Sequence, residues 1–90
     1  MDANFKYIKV LITSVRNIKE DYFIELQFNN GDTREFKILE KSVLPNNIAQ
    51  IVLETKICEI EILHRKFDNE GKPKKYKTSY IITKITELEQ

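Results

Sequence analysis

Residues 22 to 38 read YFIELQFNNGDTREFKI. Tyr22, Ile24, Leu26 and Phe28 fall on one side of an extended chain, with Phe23, Glu25 and Gln27 on the other, the period-two pattern of a half-buried strand. Asn30-Gly31 then supplies the strongest short hairpin signal, because a type I′ turn needs positive φ at both central residues. Tyr22–Phe28 is therefore expected to pair antiparallel with Thr33–Ile38, turning Phe36 and Ile38 inward.

Upstream, Phe5 to Val15 (FKYIKVLITSV) is rich in β-branched and aromatic residues, which suits a pleated, half-buried surface. Alternation places Ile8, Val10 and Ile12 on one face and Tyr7 on the outer one; RNIKED (16–21) breaks the pattern. Downstream, Pro45 cannot occupy a central strand. Asn47 followed by Gln50 resembles a capping box, and Ile48, Ile51, Val52 and Thr55 follow the spacing of one helical face. This predicts a short helix from Ile48 to Thr55; the competing reading makes QIVLE (50–54) a strand. Lys56–Phe67 and Tyr76–Leu88 alternate again, with Cys58, Ile60 and Ile62 opposite Glu59 and Glu61. They form a hairpin about Gly71, so both glycines fall at hairpin tips.

Three meandering strands, a helix and a two-stranded hairpin are the element order of the OB-fold. The expected fold is mainly β, a small five-stranded OB-like β-barrel with one short helix between strands 3 and 4, over a single domain of residues 1–90. Another small β-barrel, or an open antiparallel sheet with one helix, is the alternative.

Ninety residues, 41% of them hydrophobic, suffice for one core, and the 32% charged residues carry both signs for a net charge of +1. A strongly basic field over the whole protein is absent. One cysteine, Cys58, excludes an internal disulfide and reads as a core residue. With the lone His64 it does not make a metal site. Neither a glycine-rich phosphate loop nor a hydrolase motif is present. No enzyme activity, cofactor or metal is expected. Without a signal-peptide block or a run of about 20 apolar residues, a cytoplasmic protein with no membrane partner is expected.

Positive charge is concentrated in RKFDNEGKPKKYK (65–77), where six residues are basic and two acidic. In an OB-fold this turn lies beside the oligonucleotide groove. Arg65, Lys66, Lys72, Lys74, Lys75 and Lys77 could follow a phosphate backbone while Phe67 and Tyr76 offer aromatic faces, the two ingredients of single-strand binding. Tyr7 and Phe23 add aromatic surface if they face outward. A solubilising lysine-rich tip and a cross-strand Phe67–Tyr76 pair are the structural alternatives.

Residues 58–89 (CEIEILHRKFDNEGKPKKYKTSYIITKITELE) resemble the fourth strand, hairpin loop and fifth strand of bacterial single-stranded-DNA-binding proteins. The matching pieces are Arg65-Lys66-Phe67, Asp68-Asn69-Glu70-Gly71, Lys75-Tyr76 and Tyr80-Ile81-Ile82-Thr83-Lys84-Ile85. The resemblance implies that Phe67 is the base-stacking aromatic and that Lys66, Lys74 and Lys75 contact phosphates. Gly71 falls one position early in the turn, the first half of the chain departs from that family, and tryptophan is absent. These departures point to a reduced OB protein of phage or mobile-element type. The expected function is binding of single-stranded nucleic acid, DNA rather than RNA, with little sequence preference. The alternative is a protein-binding adaptor or inhibitor using the basic hairpin or an edge strand; a homo-oligomer is compatible with either.

Overall fold

In the computed structural model, residues 3–65 and 80–88 are described. The elements are β1 (Ala3–Ile18), β2 (Asp21–Gln27), β3 (Thr33–Ile38), a 3₁₀ turn (Lys41–Val43), α1 (Ile48–Leu53), β4 (Ile57–His64) and β5 (Tyr80–Glu87). The strands close in the order β1-β2-β3-β5-β4. All neighbours are antiparallel except β3 and β5, which meet in parallel at Lys37–Ile81 and Ile38–Ile82. The result is a small five-stranded OB-like barrel with one short helix between its third and fourth strands. Among the described residues no helix is long and apolar enough to cross a membrane.

Closure depends on β1 serving two neighbours. Its first half pairs with β4 from Ala3–His64 to Leu11–Ile57, and its second half pairs with β2 from Leu11–Gln27 to Ile18–Asp21. Register shifts between Tyr7 and Val10 and between Ile12 and Ser14 bend the strand, as β-bulges do. Lys9, at φ 62°, marks the first.

That bulge corrects the expected face of β1. Phe5 and Tyr7 pack against the core before it, and Val10 and Ile12 are buried after it. Ile8 instead stands 59% exposed. Tyr7 thus lies on the inner side of its strand, because one inserted residue reverses the parity of everything beyond it. A third bulge, between Glu61 and Ile62 on the β4–β5 ladder, brings both Ile82 and Ile85 into the core.

The hairpin of residues 22–38 forms as expected, with Ile24 opposite Phe36 and Gln27 opposite Thr33. Its turn differs from the expected type I′. Gly31 N–H donates to Phe28 C=O and Phe28 N–H to Asp32 C=O, both at 2.9 Å. Gly31 has φ 89° while Asn30 is not among the positive-φ residues. This is a three-residue loop in which glycine alone takes the left-handed position. The RNIKED segment is not a break: β1 and β2 run through it and leave only Lys19–Glu20 as the turn.

α1 covers one barrel end by burying Ile51, with Ile48 and Val52 packed beside it. The strand reading of 50–54 is thereby overturned. The capping box is also absent: Asn47 makes no side-chain cap, and its Nδ2 donates instead to Glu87 Oε1 at 3.1 Å. The helix stops at Leu53, two residues earlier than expected. Lys56 N–H reaches Ile51 C=O at 3.0 Å and Thr55 N–H reaches Val52 C=O at 3.2 Å, the paired bonds of a Schellman motif. Thr55 sits in its left-handed position at φ 48°. Cys58, Ile60 and Ile62 are fully buried opposite Glu59 and Glu61. Burial raises the Cys58 thiol pKa, with the Glu87 charge adding to the shift.

Candidate nucleic-acid interface

Five aromatic rings, from three strands and one hairpin turn, converge near the barrel end where β4 finishes and β5 begins. Tyr7 meets Phe5 edge-on at 5.4 Å between ring centroids and Phe28 at 4.8 Å. Phe36 lies 6.0 Å from Tyr7 and 6.5 Å from Tyr80, and Phe5 lies 6.2 Å from Tyr80. These separations are in the range where aromatic pairs attract beyond their buried area. Phe5, Tyr7, Phe28 and Tyr80 are all partly exposed.

Two further side chains give the cluster polarity. Arg34 shares the inward parity of Phe36 and Ile38, but near the start of β3 it reaches over the rings. Its Cζ lies 5.2 Å from the Phe36 centroid and 5.7 Å from that of Tyr80, within cation–π range. His64, the last residue of β4, stacks on Tyr80, the first of β5, at 4.3 Å with 1° between the planes. Arg65 follows directly and is half-buried.

Of the expected contact residues, Tyr7 and Arg65 belong to this end of the barrel. Phe23 stands on the outer β2–β3 surface, as alternation requires, with the Arg16 guanidinium 5.8 Å from its ring centroid. Lys66, Phe67, Lys72, Lys74, Lys75, Tyr76 and Lys77 lie outside the described residues. Their segment joins Arg65 to Tyr80.

The outer β2–β3 surface suits a phosphate backbone poorly. Glu25 and Glu35 sit directly opposite each other. Glu35 holds Arg16 through two hydrogen bonds, at 2.7 and 2.6 Å, which push the guanidinium pKa further up. Thr13 Oγ1 donates to Glu25 Oε1 at 2.7 Å. Elsewhere on the wall Lys6 pairs with Glu59 at 3.6 Å, Lys37 with Asp21 at 3.4 Å and Lys56 with Glu87 at 3.3 Å. Residues 65–77 carry a net +4 from six basic and two acidic side chains; with +1 for the whole chain, the remainder is net −3. Attraction for an anion therefore resides in one segment rather than in the barrel wall.

Sequence reasoning missed Arg34, Phe5, Phe28 and the His64–Tyr80 stack as a group. Arg34 alone had a legible signal, a cation at an inward-parity position beside a strand start. The chain matches no protein-family model, no curated protein and no solved structure.

Proposed function

We propose that this protein binds single-stranded nucleic acid, DNA in preference to RNA, at the aromatic end of the barrel. The basic segment 65–77 follows the phosphates and the exposed rings receive bases. One observation carries this reading. The flat His64–Tyr80 pair, flanked by Arg34, sits where β4 ends and β5 begins, on either side of the basic segment in the chain. Stacking on aromatic faces tolerates every base, and phosphate contacts carry no direct sequence information. Most of the binding track is therefore sequence-neutral. The resemblance of residues 58–89 to bacterial single-stranded-DNA-binding proteins agrees with this reading, and the reduced architecture fits a phage or mobile-element protein.

The test is fluorescence anisotropy with a labelled oligo-dT of about 30 nucleotides, a length exceeding the roughly 4–16 nucleotides that one OB-fold occupies. Binding that weakens on Phe67→Ala, with the fold retained, supports the reading. No binding at low salt overturns it.

A second reading rests on a different surface. Val15, Ile48, Ala49, Val52 and Leu53 line an apolar groove between α1 and β1, with Leu53 83% exposed. This favours a protein-binding adaptor or inhibitor. Recovery of one stoichiometric, nuclease-insensitive protein partner would select it.

A further inference from the structure

A pocket of about 400 Å³ opens beside the aromatic cluster, lined by Tyr7, Phe28, Asp32, Thr33 and Arg34. It is a depression open to solvent rather than an enclosed cavity, and it combines aromatic walls with a few placed polar groups, as small-ligand sites do. The walls here are Tyr7 and Phe28, inclined at 69°, so a planar ligand can lie against the face of one and meet the edge of the other. The polar groups have opposite character: the Asp32 carboxylate only accepts hydrogen bonds and the Arg34 guanidinium only donates them.

Both groups have local support. Asn30 Nδ2 donates to Asp32 Oδ2 at 3.0 Å, and Asp32 N–H donates to Asn30 Oδ1 at 3.0 Å. The first bond uses one acceptor site of the carboxylate and leaves the others open, while the second ties down the Asp32 backbone. Arg34 lies over the rings of Phe36 and Tyr80. The left-handed Gly31 makes the turn that holds Asp32 at the rim.

We infer that this pocket is a base-selective subsite that takes a single guanine from the bound strand. Guanine offers a donor pair, N1–H and N2–H₂, that an aspartate accepts, and an acceptor pair, O6 and N7, that an arginine reads. Adenine offers no comparable donor pair beside an acceptor pair, and thymine has no exocyclic amine. The inference rests on the nucleic-acid reading above. It adds one discriminating position to an otherwise neutral track.

The experiment is competition for the full-length protein on labelled oligo-dT, using unlabelled oligo-dT competitors that carry one central dG, dA or deoxyinosine. The dG competitor is expected to bind at least about fivefold tighter than plain oligo-dT, the lower end of what one bidentate base contact supplies. Deoxyinosine, which lacks the N2 amine, is expected to lose part of that gain, and dA to show none. Asp32→Asn, at an exposed turn position, is expected to abolish the dG preference while oligo-dT binding is retained. Arg34→Lys keeps the charge but loses the fork, and is expected to reduce the same preference. Equal affinity for all competitors, with oligo-dT still bound, overturns the guanine subsite alone. No binding of any oligonucleotide overturns the nucleic-acid reading and the subsite with it.

Discussion

Replacing Thr55 with glycine is expected to stabilise the protein. Thr55 occupies the left-handed position after α1, at φ 48°, where helices usually place glycine. A side chain there crowds its own backbone at a cost of about 1–2 kcal/mol, and for a β-branched residue the conformation is a real outlier. Glycine removes that cost but gives the unfolded chain more freedom, which offsets about 0.5–1 kcal/mol. The Thr55 Oγ1 bond to Glu54 C=O, at 2.7 Å, is solvent-exposed and contributes little to the balance. The Schellman bonds are made by backbone groups and survive the change. The net expectation is a gain of roughly 0.5–1 kcal/mol. At about 4–8 °C per kcal/mol for a domain of this size, Tm rises by about 2–8 °C. Thermal and urea unfolding followed by circular dichroism measure it. Thr55→Asn should fall between wild type and Thr55→Gly, because asparagine tolerates the left-handed region better than threonine does. A lower Tm for Thr55→Gly would refute the backbone conformation assigned to residue 55.

Three other changes have expected outcomes. Ile51→Ala removes the only buried side chain of α1 and should cost about 2–5 kcal/mol in urea unfolding; a cost under ~1 kcal/mol would mean that α1 does not close the barrel end. The Cys58 pKa is raised above its ordinary value of 9.0, so the folded state resists ionisation that the unfolded state accepts. Stability should thus be complete below pH 9.0 and fall as pH rises beyond it; Cys58→Ala should lack that alkaline component, and an unchanged alkaline profile would exclude it. Tyr80→Leu keeps an apolar side chain but removes the stacking face, and should weaken oligonucleotide binding by about 1–3 kcal/mol; unchanged affinity in a folded variant would take Tyr80 out of the site.

The parts of the fold legible in the sequence are those where local pattern and tertiary burial agree. The 22–38 hairpin and the Cys58–Ile62 face needed only strict alternation and a glycine turn. The misread face of β1 has one cause, the bulge at Lys9. A bulge changes parity without changing composition, so Ile8 and Tyr7 exchange roles with no sequence signal. α1 was visible through Ile48, Ile51 and Val52, but its end was overrun because threonine is a rare residue for a left-handed helix stop. The candidate site was legible as charge in residues 65–77. Its aromatic half was not, because Phe5, Phe28, Phe36 and Tyr80 are far apart in sequence and meet only when the barrel closes.

The decisive measurement is the salt dependence of oligo-dT binding, taken from about 50 to 200 mM monovalent salt. If all six cations of residues 65–77 neutralise phosphates, the log–log slope approaches about −4, at roughly −0.7 per contact on a single strand. A slope between about −2 and −4 is expected, the shallower value corresponding to about half of those contacts. Measurable binding with a slope near zero would contradict a phosphate-tracking basic segment, and absence of binding at the lowest salt would contradict nucleic-acid recognition altogether.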